Sequence, residues 1–520
     1  METFLSIHQD AVVGTLTMFD RLVFKGHLTG LFPDGAFSRF LWNQGVLLKD
    51  FKPYVEARTQ ELKAHAQQVA REAGRPFIYL QSATTKRSGQ SKEDLARSMA
   101  EADGITEGLI CVFSVLELCT SFTVQGNRET CKLQAVRKRR KCLHFYFYLI
   151  DPEFGLMHVR LQSWFPFQLQ VYVNGHEWLA REMDRQGIAY QRYANCFTSI
   201  DDLDTAHDLC ERFAHRQWPR VLDAFARWVN PMLGTIQQAG FGGYYWVVDQ
   251  GEIATDVMFQ DRASLMAIMP DLCEYATLNF SAEDVMRFLG RKLHGNFQGD
   301  VTTDLKKRPE GRRVKHRMKG NSVKMYDKLS VLRIETTINN PREFKVLKVI
   351  QTPEGRSRRW KPMNKGVANF WRFWQVGNQS NHRYLEALAQ VERKGEAVQA
   401  LESLCRSRTK DGKRYARFNP VTKQDCALFA AAMAGEHIIN GFRNRDLRAH
   451  LYDHAASTSQ EAKRRCARVS RLIAKLRGHG LVAKVKDARL YRVTPRGHQL
   501  MSAALSFRIS DFPQAFSMAS

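Results

Sequence analysis

The sequence predicts an α+β (mixed) fold, and three observations carry that prediction. Stretches toward both ends repeat apolar residues at three-to-four spacing, as amphipathic helices do. From about residue 106 the pattern changes to short runs rich in β-branched and aromatic residues, LICVFSVLEL, CLHFYFYLI, LMHVRLQSWF and FQLQVYVN, which read as strands. The composition, 44% hydrophobic and 25% charged, is that of a chain that folds, and 520 residues suggest about three domains.

Four consecutive regions are expected: a mainly helical N-terminal region over 1–105, a mixed α/β core with basic segments over 106–353, a basic linker with helices over 354–420, and a C-terminal domain over 421–520. In the first, KPYVEARTQELKAHAQQVAREAG has helical spacing and a stop at Gly74, and TTKRSGQSKED (84–94) reads as a polar loop leading into another helix. In the second, KCLHFYFYLIDPEFGLMHVRLQ sets Asp-Pro and Gly between two strand-like runs, the grammar of a hairpin. A third strand to Val173 and a helix opened at Asn174 complete a β-β-β-α unit. Helices dominate 200–235, YYWVVDQGEIATDVMF reads as a strand or strand pair, and 262–293 reads as helical. NSVKMYDKLSVLRIETTINN (321–340) reads as a second hairpin around a Lys-Leu-Ser turn. EGRSRRWKPMNKG (354–366) reads as a linker, and the aromatics of VANFWRFWQ as a buried helix face in preference to a base-stacking surface.

The charge balance narrows the partners. Lys and Arg number 78 against 53 Asp and Glu, which leaves +25 at pH 7, a field that attracts polyanions. No stretch approaches the roughly 20 apolar residues of a spanning helix, and METFLSIHQDAVVG has no basic region followed by an apolar block, so no membrane partner and a cytoplasmic location are expected. The ten cysteines show no CxxC pair and read as reduced, buried small hydrophobes. No GxxxxGK[ST] loop and no GxGxxG motif supports nucleotide-driven or nicotinamide chemistry. Nucleic acid, DNA before RNA, is the expected partner.

The C-terminal region concentrates the signal, with 23 Lys and Arg against 9 Asp and Glu over 401–520, a net +14. DCALFAAAMAG forms an apolar helix, and NGFRNRDLRAHLY a second with Leu447 and Leu451 on one face. In SQEAKRRCARVSRLIAKLRGHG, Val469, Leu472, Ile473 and Leu476 form the apolar face, leaving the other to Lys463, Arg464, Arg465, Arg468, Arg471 and Lys475. LVAKVKDARLYRVT then gives two short alternating runs around a Lys-Asp-Ala turn, and PRGHQLMSAAL a closing helix with Pro495 in its first turn. The segment VSRLIAKLRGHGLVAKV…RLYRVTPRGHQL resembles the recognition helix, wing and closing helix of winged-helix regulators such as the MarR group. The resemblance implies a helix in the major groove and a wing along the backbone, with Arg443, Arg445, Lys463, Arg464, Arg465, Arg468, Arg471, Lys475, Lys484, Lys486 and Arg489 facing DNA.

Two further basic segments, VRKRRK (136–141) and LKKRPEGRRVKHRMK (305–319), each precede a predicted hairpin, and the second adds Arg312, Arg313, Lys315 and Arg317 to the DNA-facing set. In KMYDKLSVLRIETTI, alternation puts Lys324, Tyr326 and Lys328 on one face of the first strand and Arg333, Glu335 and Thr337 on one face of the second. Tyr326, Lys328 and Glu335 are therefore candidate catalytic residues for metal-assisted strand nicking, with tyrosine as nucleophile and the carboxylate holding Mg2+ or Mn2+. These Tyr-Asp-Lys and Arg-Ile-Glu strands weakly resemble those of plasmid and phage rolling-circle replication initiators, but no His-hydrophobic-His metal strand accompanies them. His144 and His158 are single candidates, expected to converge if the hairpin turn lies near Pro152. Glu252 and Asp256, four residues apart in GEIATDVMF, are further metal candidates. A carboxylate-only alternative uses Asp151, Glu177 or Glu182, and Asp201/Asp202, loosely similar to the layout of ribonuclease-H-like nucleases and transposases. The expected function is thus DNA binding in a DNA transaction, of the replication-initiator or mobile-element type, with metal-dependent nicking, nuclease or transposase chemistry as the enzymatic form. A non-catalytic winged-helix transcriptional regulator or an RNA-binding scaffold is the alternative.

Overall fold

The computed structural model describes residues 1–81, 90–291, 300–308, 311–352, 355–389, 391, 402–410, 412–420, 422–485 and 488–511. Most of the loop expected at 84–94, and Lys486, lie outside the described residues. The fold class is α+β, as expected. The chain does not divide into four consecutive stretches. It forms two compact units, one from Met1–Val13, Val257–Ile334 and Gln379–Ser520, the other from Gly14–Asp256 and Glu335–Asn378.

Elements follow in chain order as α1 (Glu2–Ile7), β1 (Val12–His27), α2 (Ala36–Asn43), α3 (Phe51–Glu72), β2 (Phe77–Leu80), α4 (Lys92–Ala102), β3 (Gly108–Asn127), β4 (Lys132–Asp151), β5 (Gly155–Gln162), β6 (Leu169–Asn174), α5 (Gly175–Gln186), β7 (Tyr190–Tyr193), β8 (Cys196–Ile200), α6 (Leu203–Ala214), α7 (Trp218–Val229), α8 (Met232–Gln238) and β9 (Tyr245–Phe259). After these come α9 (Arg262–Leu278), α10 (Ala282–Phe288), β10 (Val301–Arg308), β11 (Gly311–Met318), β12 (Asn321–Lys328), β13 (Val331–Ile338), β14 (Lys345–Thr352), β15 (Gly355–Pro362) and α11 (Phe370–Leu388). The C-terminal part holds β16 (Arg408–Lys410), β17 (Lys413–Tyr415), α12 (Lys423–Ala432), α13 (Gly435–Asn440), α14 (Asn444–Leu451), α15 (Ser459–Gly478), β18 (Val482–Lys484), β19 (Tyr491–Val493) and α16 (Pro495–Ser506).

In the unit built on Gly14–Asp256, the strands lie in the order β9-β1-β6-β5-β4-β3-β2, with residues 335–338 of β13 on the other side of β9. β1 was not foreseen in the region over 1–105, where helices still outweigh strands as expected. Leu16, Met18, Phe19, Leu22 and Phe24 are all buried in it, because an interior strand is covered on both faces and so shows little two-residue alternation in sequence. The helix at 51–72 is present, buries Val55, Leu62 and Ala66, and is followed by Gly74 at φ 64°. The Asp-Pro hairpin of β4 and β5 is also present, with Asp151 paired to Gly155. VRKRRK does not precede a hairpin but forms part of β4, where Arg140 lies 4.1 Å over the Trp164 ring. The linker expected at 354–366 is instead largely strand β15, paired along its length with β14. The aromatics of α11 are mainly core: Phe370 stacks on Phe19 at 4.5 Å and Phe373 is fully buried, while Trp371 is exposed.

In the other unit, β10, β11, β12 and β13 lie side by side in sequence order. The basic segment at 305–319 is itself the β10–β11 hairpin, in which Lys306 pairs with Arg313 and Lys307 with Arg312. Residues 402–511 gather a separate apolar cluster around Phe418, Phe429, Leu447, Val469, Ile473, Leu476 and Leu500. The order there is helices α12 to α15, the antiparallel hairpin β18–β19, and α16, which Thr494 caps by accepting from the Gly497 N–H. One contact was not foreseen. Phe442 exchanges two 2.8 Å backbone hydrogen bonds with Tyr491, an isolated antiparallel bridge on the edge of that hairpin.

Candidate functional site

Asp20 is a carboxylate inside an apolar strand, 5% exposed, so its charge needs partners. It has them. β1 and β6 pair so that Arg21 is opposite Asn174, and α5 begins at the next residue, which turns the helix start over Asp20. The Asn174 amide donates to Asp20 Oδ1 at 3.0 Å, while its carbonyl oxygen caps α5 by accepting from the Glu177 N–H. Asn195, from the β7–β8 turn, donates to both Asp20 oxygens at 2.9 Å. His176, 1% exposed, stands 3.5 Å from Asp20 Oδ1 through Nδ1 and 3.7 Å from Asp256 Oδ2 through Nε2. The close approach depends on Gly175, where a Cβ would lie 2.1 Å from the Phe19 carbonyl oxygen.

Two other carboxylates meet Asp20. Glu252 of β9 and Glu335 of β13 each bring an oxygen within 4.8 Å of the others and of an Asp20 oxygen. Glu335 is 1% exposed, and Glu252 accepts from Gln250 Nε2 at 2.8 Å. Asp20 and Glu252 line a cavity of about 790 Å³ that also takes in Arg21, Tyr172, Asn174, Asn195, Arg97, Arg181 and Arg192. Arg21 lies 5.6 Å over the Tyr172 ring, whose hydroxyl burial pushes up to about 12, so the phenol keeps its proton. The cavity thus sets Asp20 and Glu252, with Glu93, Glu101 and Glu177, beside four arginines. Three oxygen donors suit a hard divalent cation such as Mg2+ or Mn2+, and the amides fixing Asp20 favour its charged form.

The sequence candidates distribute unevenly around this site. Glu252 and Glu335, singled out for separate reasons, come together in it, whereas Asp256 faces His176 at 3.7 Å. Asp20, Asn174, His176 and Asn195 were missed. The usable signal was the lone acid in LTMFDRLVF, an expensive residue to place in a buried strand without a task. Lys324, Tyr326 and Lys328 alternate as expected on β12, half-buried, and Tyr326 pairs with Arg313 of β11. The neighbouring strand departs from a one-sided sheet, since all of β13 is buried, including Arg333.

His144 and His158 do not converge. The hairpin turn does lie at Pro152, but His144 pairs with Gln162 and His158 with Tyr148, four positions apart along the ladder. Burial pushes both imidazoles down, to about 4 and about 3, and each has a structural setting. The His144 Nδ1 donates to the Cys142 carbonyl, and the His158 ring stacks on Tyr172 at 5.2 Å. The carboxylate-only alternative is likewise taken up by structure. Asp151 accepts from the Glu153 and Phe154 N–H groups in the turn, Glu177 pairs with Arg192, Glu182 with Arg185, and Asp202 caps α6.

Among the basic residues of the C-terminal part, Arg443, Arg445, Lys463, Arg464, Arg468, Arg471, Lys484 and Arg489 are exposed. Two of the expected DNA-facing cations are committed internally. Arg465 pairs with Glu461 and lies 4.5 Å over Tyr452, and Lys475 sits 3.8 Å over the Phe418 ring with Asp425 at 3.4 Å. On β11, Arg313 and Arg317 both reach Asp304, while Arg312 and Lys315 are half-buried. No family model, no curated protein and no solved structure matches this chain.

Proposed function

We propose that this chain is a cytoplasmic DNA-binding protein of a DNA transaction, replication-initiator or mobile-element in kind, and that it cleaves phosphodiester bonds with Mg2+ or Mn2+ held by Asp20, Glu252 and Glu335. The observation that carries the reading is the convergence of these three carboxylates, two of which, Asp20 and Glu252, line a cavity together with arginines. When bound there, the cation would supply charge neutralisation at a phosphate. Asn174, Asn195 and His176 fix Asp20 so that its oxygens need not reorganise, and Arg21 offers a cation to a phosphate oxygen entering the cavity. The order of α12 to α16 with the β18–β19 hairpin, and the exposed cations of α15, support a winged-helix reader for the same DNA.

The test is cleavage of labelled single-stranded DNA, double-stranded DNA and RNA with Mn2+ or EDTA, comparing wild type with Asp20→Asn, Glu335→Gln and Tyr326→Phe. Cation-dependent cleavage lost in the carboxylate variants supports the reading. If Tyr326→Phe also abolishes cleavage and a covalent protein–DNA adduct, tyrosine is the nucleophile. Binding without cleavage on every substrate overturns the enzymatic part and leaves a regulator or scaffold.

A further inference from the structure

A second constellation, in the other unit and sharing no residue with the first, involves Glu436 and His437 at the start of α13 and His450 in the last turn of α14. Their nearest nitrogen and carboxylate atoms all lie within 4.8 Å of one another. Three details make this more than proximity.

The first is a fixed tautomer. His437 Nδ1 lies 2.6 Å from the Ala431 carbonyl oxygen, which can only accept, so Nδ1 carries the proton and Nε2 presents a bare lone pair. That Nε2 is buried without a hydrogen-bond partner among the described residues, in a residue only 3% exposed, and it faces Glu436 Oε1 at 3.5 Å. Two acceptors turned toward each other in a buried place repel unless something positive stands between them.

The second is the orientation of Glu436. Arg287 Nη2 holds Oε2 at 2.5 Å, leaving Oε1 for the histidines, and His450 Nε2 is 2.7 Å from that same oxygen. The third is room. Glu436 and His450 line a cavity of about 400 Å³, enough for a further small ligand, and His450 is itself exposed.

We propose that His437 Nε2, His450 Nε2 and Glu436 Oε1 form a Zn2+ site with a fourth position left to water. Two imidazoles and a carboxylate are a zinc donor set, with bonds of about 2.0–2.2 Å, which requires donor separations near those seen here. The Ala431 carbonyl on His437 and Arg287 on Glu436 play the outer-shell roles that orient such ligands. On binding, His450 presents Nε2 as a lone pair and carries its proton on Nδ1, an exchange its exposure to water permits. The ion would tie α13 to α14, and α14 is already tied to the basic helix α15 through Asn444 Nδ2, which donates to the Cys466 carbonyl at 3.0 Å.

The experiment is a Zn2+ titration of the EDTA-stripped, dialysed full-length protein in competition with a chromophoric chelator. Wild type, Glu252→Gln, His437→Gln and His450→Gln are compared. One tight equivalent is expected in wild type and in Glu252→Gln, which removes a carboxylate of the other cluster. Affinity should fall by about tenfold or more in each histidine variant, since loss of outer-shell partners alone costs that much. His450 is exposed, so His450→Gln keeps the packing and decides the point if His437→Gln does not fold. No tight equivalent in wild type, or unchanged affinity in His450→Gln, overturns the proposal.

Discussion

The side-chain amide of Asn195 donates to both carboxylate oxygens of Asp20, at 2.9 Å each. Such a grip favours an ionised Asp20, and it sets the direction of the first prediction. In Asp20→Asn, the carbonyl oxygen can still accept at the Oδ1 position, but the new NH2 group faces the Asn195 amide at the Oδ2 position, so donor meets donor in a buried place. We expect a loss of about 1–3 kcal/mol in urea unfolding together with loss of cation-dependent cleavage. Asn195→Asp, which sets a second carboxylate against Asp20, should destabilise in the same range, and high Mn2+ should restore part of the loss.

Cation binding at the carboxylate cluster should also be visible without any reaction. Ligand that binds the folded state alone stabilises it, by about 2.7 kcal/mol when present at 100 times its Kd. Mn2+ should therefore raise the melting temperature of wild type and leave that of Glu252→Gln and Glu335→Gln unchanged. An equal rise in all three proteins would place the ion elsewhere.

The cations of α15 should separate into two groups. Arg464→Ala, Arg468→Ala and Arg471→Ala remove exposed charge, and each should weaken DNA binding while reducing the slope of log K against log salt by about 1. Lys475→Ala instead removes a cation packed over Phe418 and bonded to Asp425, and should appear mainly as lost stability, about 1–2 kcal/mol. Filter-binding titrations at several salt concentrations, beside thermal melts, separate the two effects.

Acid sensitivity should centre on Glu117. Burial alone would raise its carboxyl, yet Lys92, Arg160 and the Tyr146 hydroxyl hold it down at about 2 against an ordinary 4.5. A depressed folded value contributes stability that is full above the ordinary value and is lost as pH falls toward about 2. The unfolding midpoint of wild type should drop between about pH 4.5 and 2, and that of Glu117→Gln, lower at neutral pH by about 2 kcal/mol, should drop less steeply.

Gly175→Ala tests the placement of α5. The added methyl meets the Phe19 carbonyl, and overpacking of this kind costs about 1–3 kcal/mol. Because the same turn carries Asn174 and His176, we expect reduced Mn2+ affinity as well as reduced stability.

The sequence was most legible where local grammar decides the structure. The Asp151-Pro152 hairpin, the Asn174 cap, the β12–β13 turn and the apolar face Val469, Ile473 and Leu476 were all readable, because each rests on spacing or a turn residue within a few positions. Glu252 and Glu335 were readable as candidates but not as partners. Their meeting depends on β13 lying beside β9, a pairing between stretches some 80 residues apart that no local pattern encodes. β1 was missed because a strand covered on both faces resembles any apolar run, and Asp20 was lost with it. Arg465 and Lys475 looked like the other cations of α15 because a helical projection shows which face a side chain takes, but not that Tyr452 or Phe418 will lie beneath it.

The boundaries of the two units fall inside β1, β9, β13 and α11, and neither unit is a continuous piece of chain. During synthesis, the first 13 residues must wait for segments beginning at Val257 and Gln379 before their own unit can close. Contacts over such separations form slowly, so assembly of that unit follows that of contacts closer along the chain. A chain interrupted after Ile334 would therefore leave Met1–Val13 without the Gln379–Ser520 part of the unit they belong to.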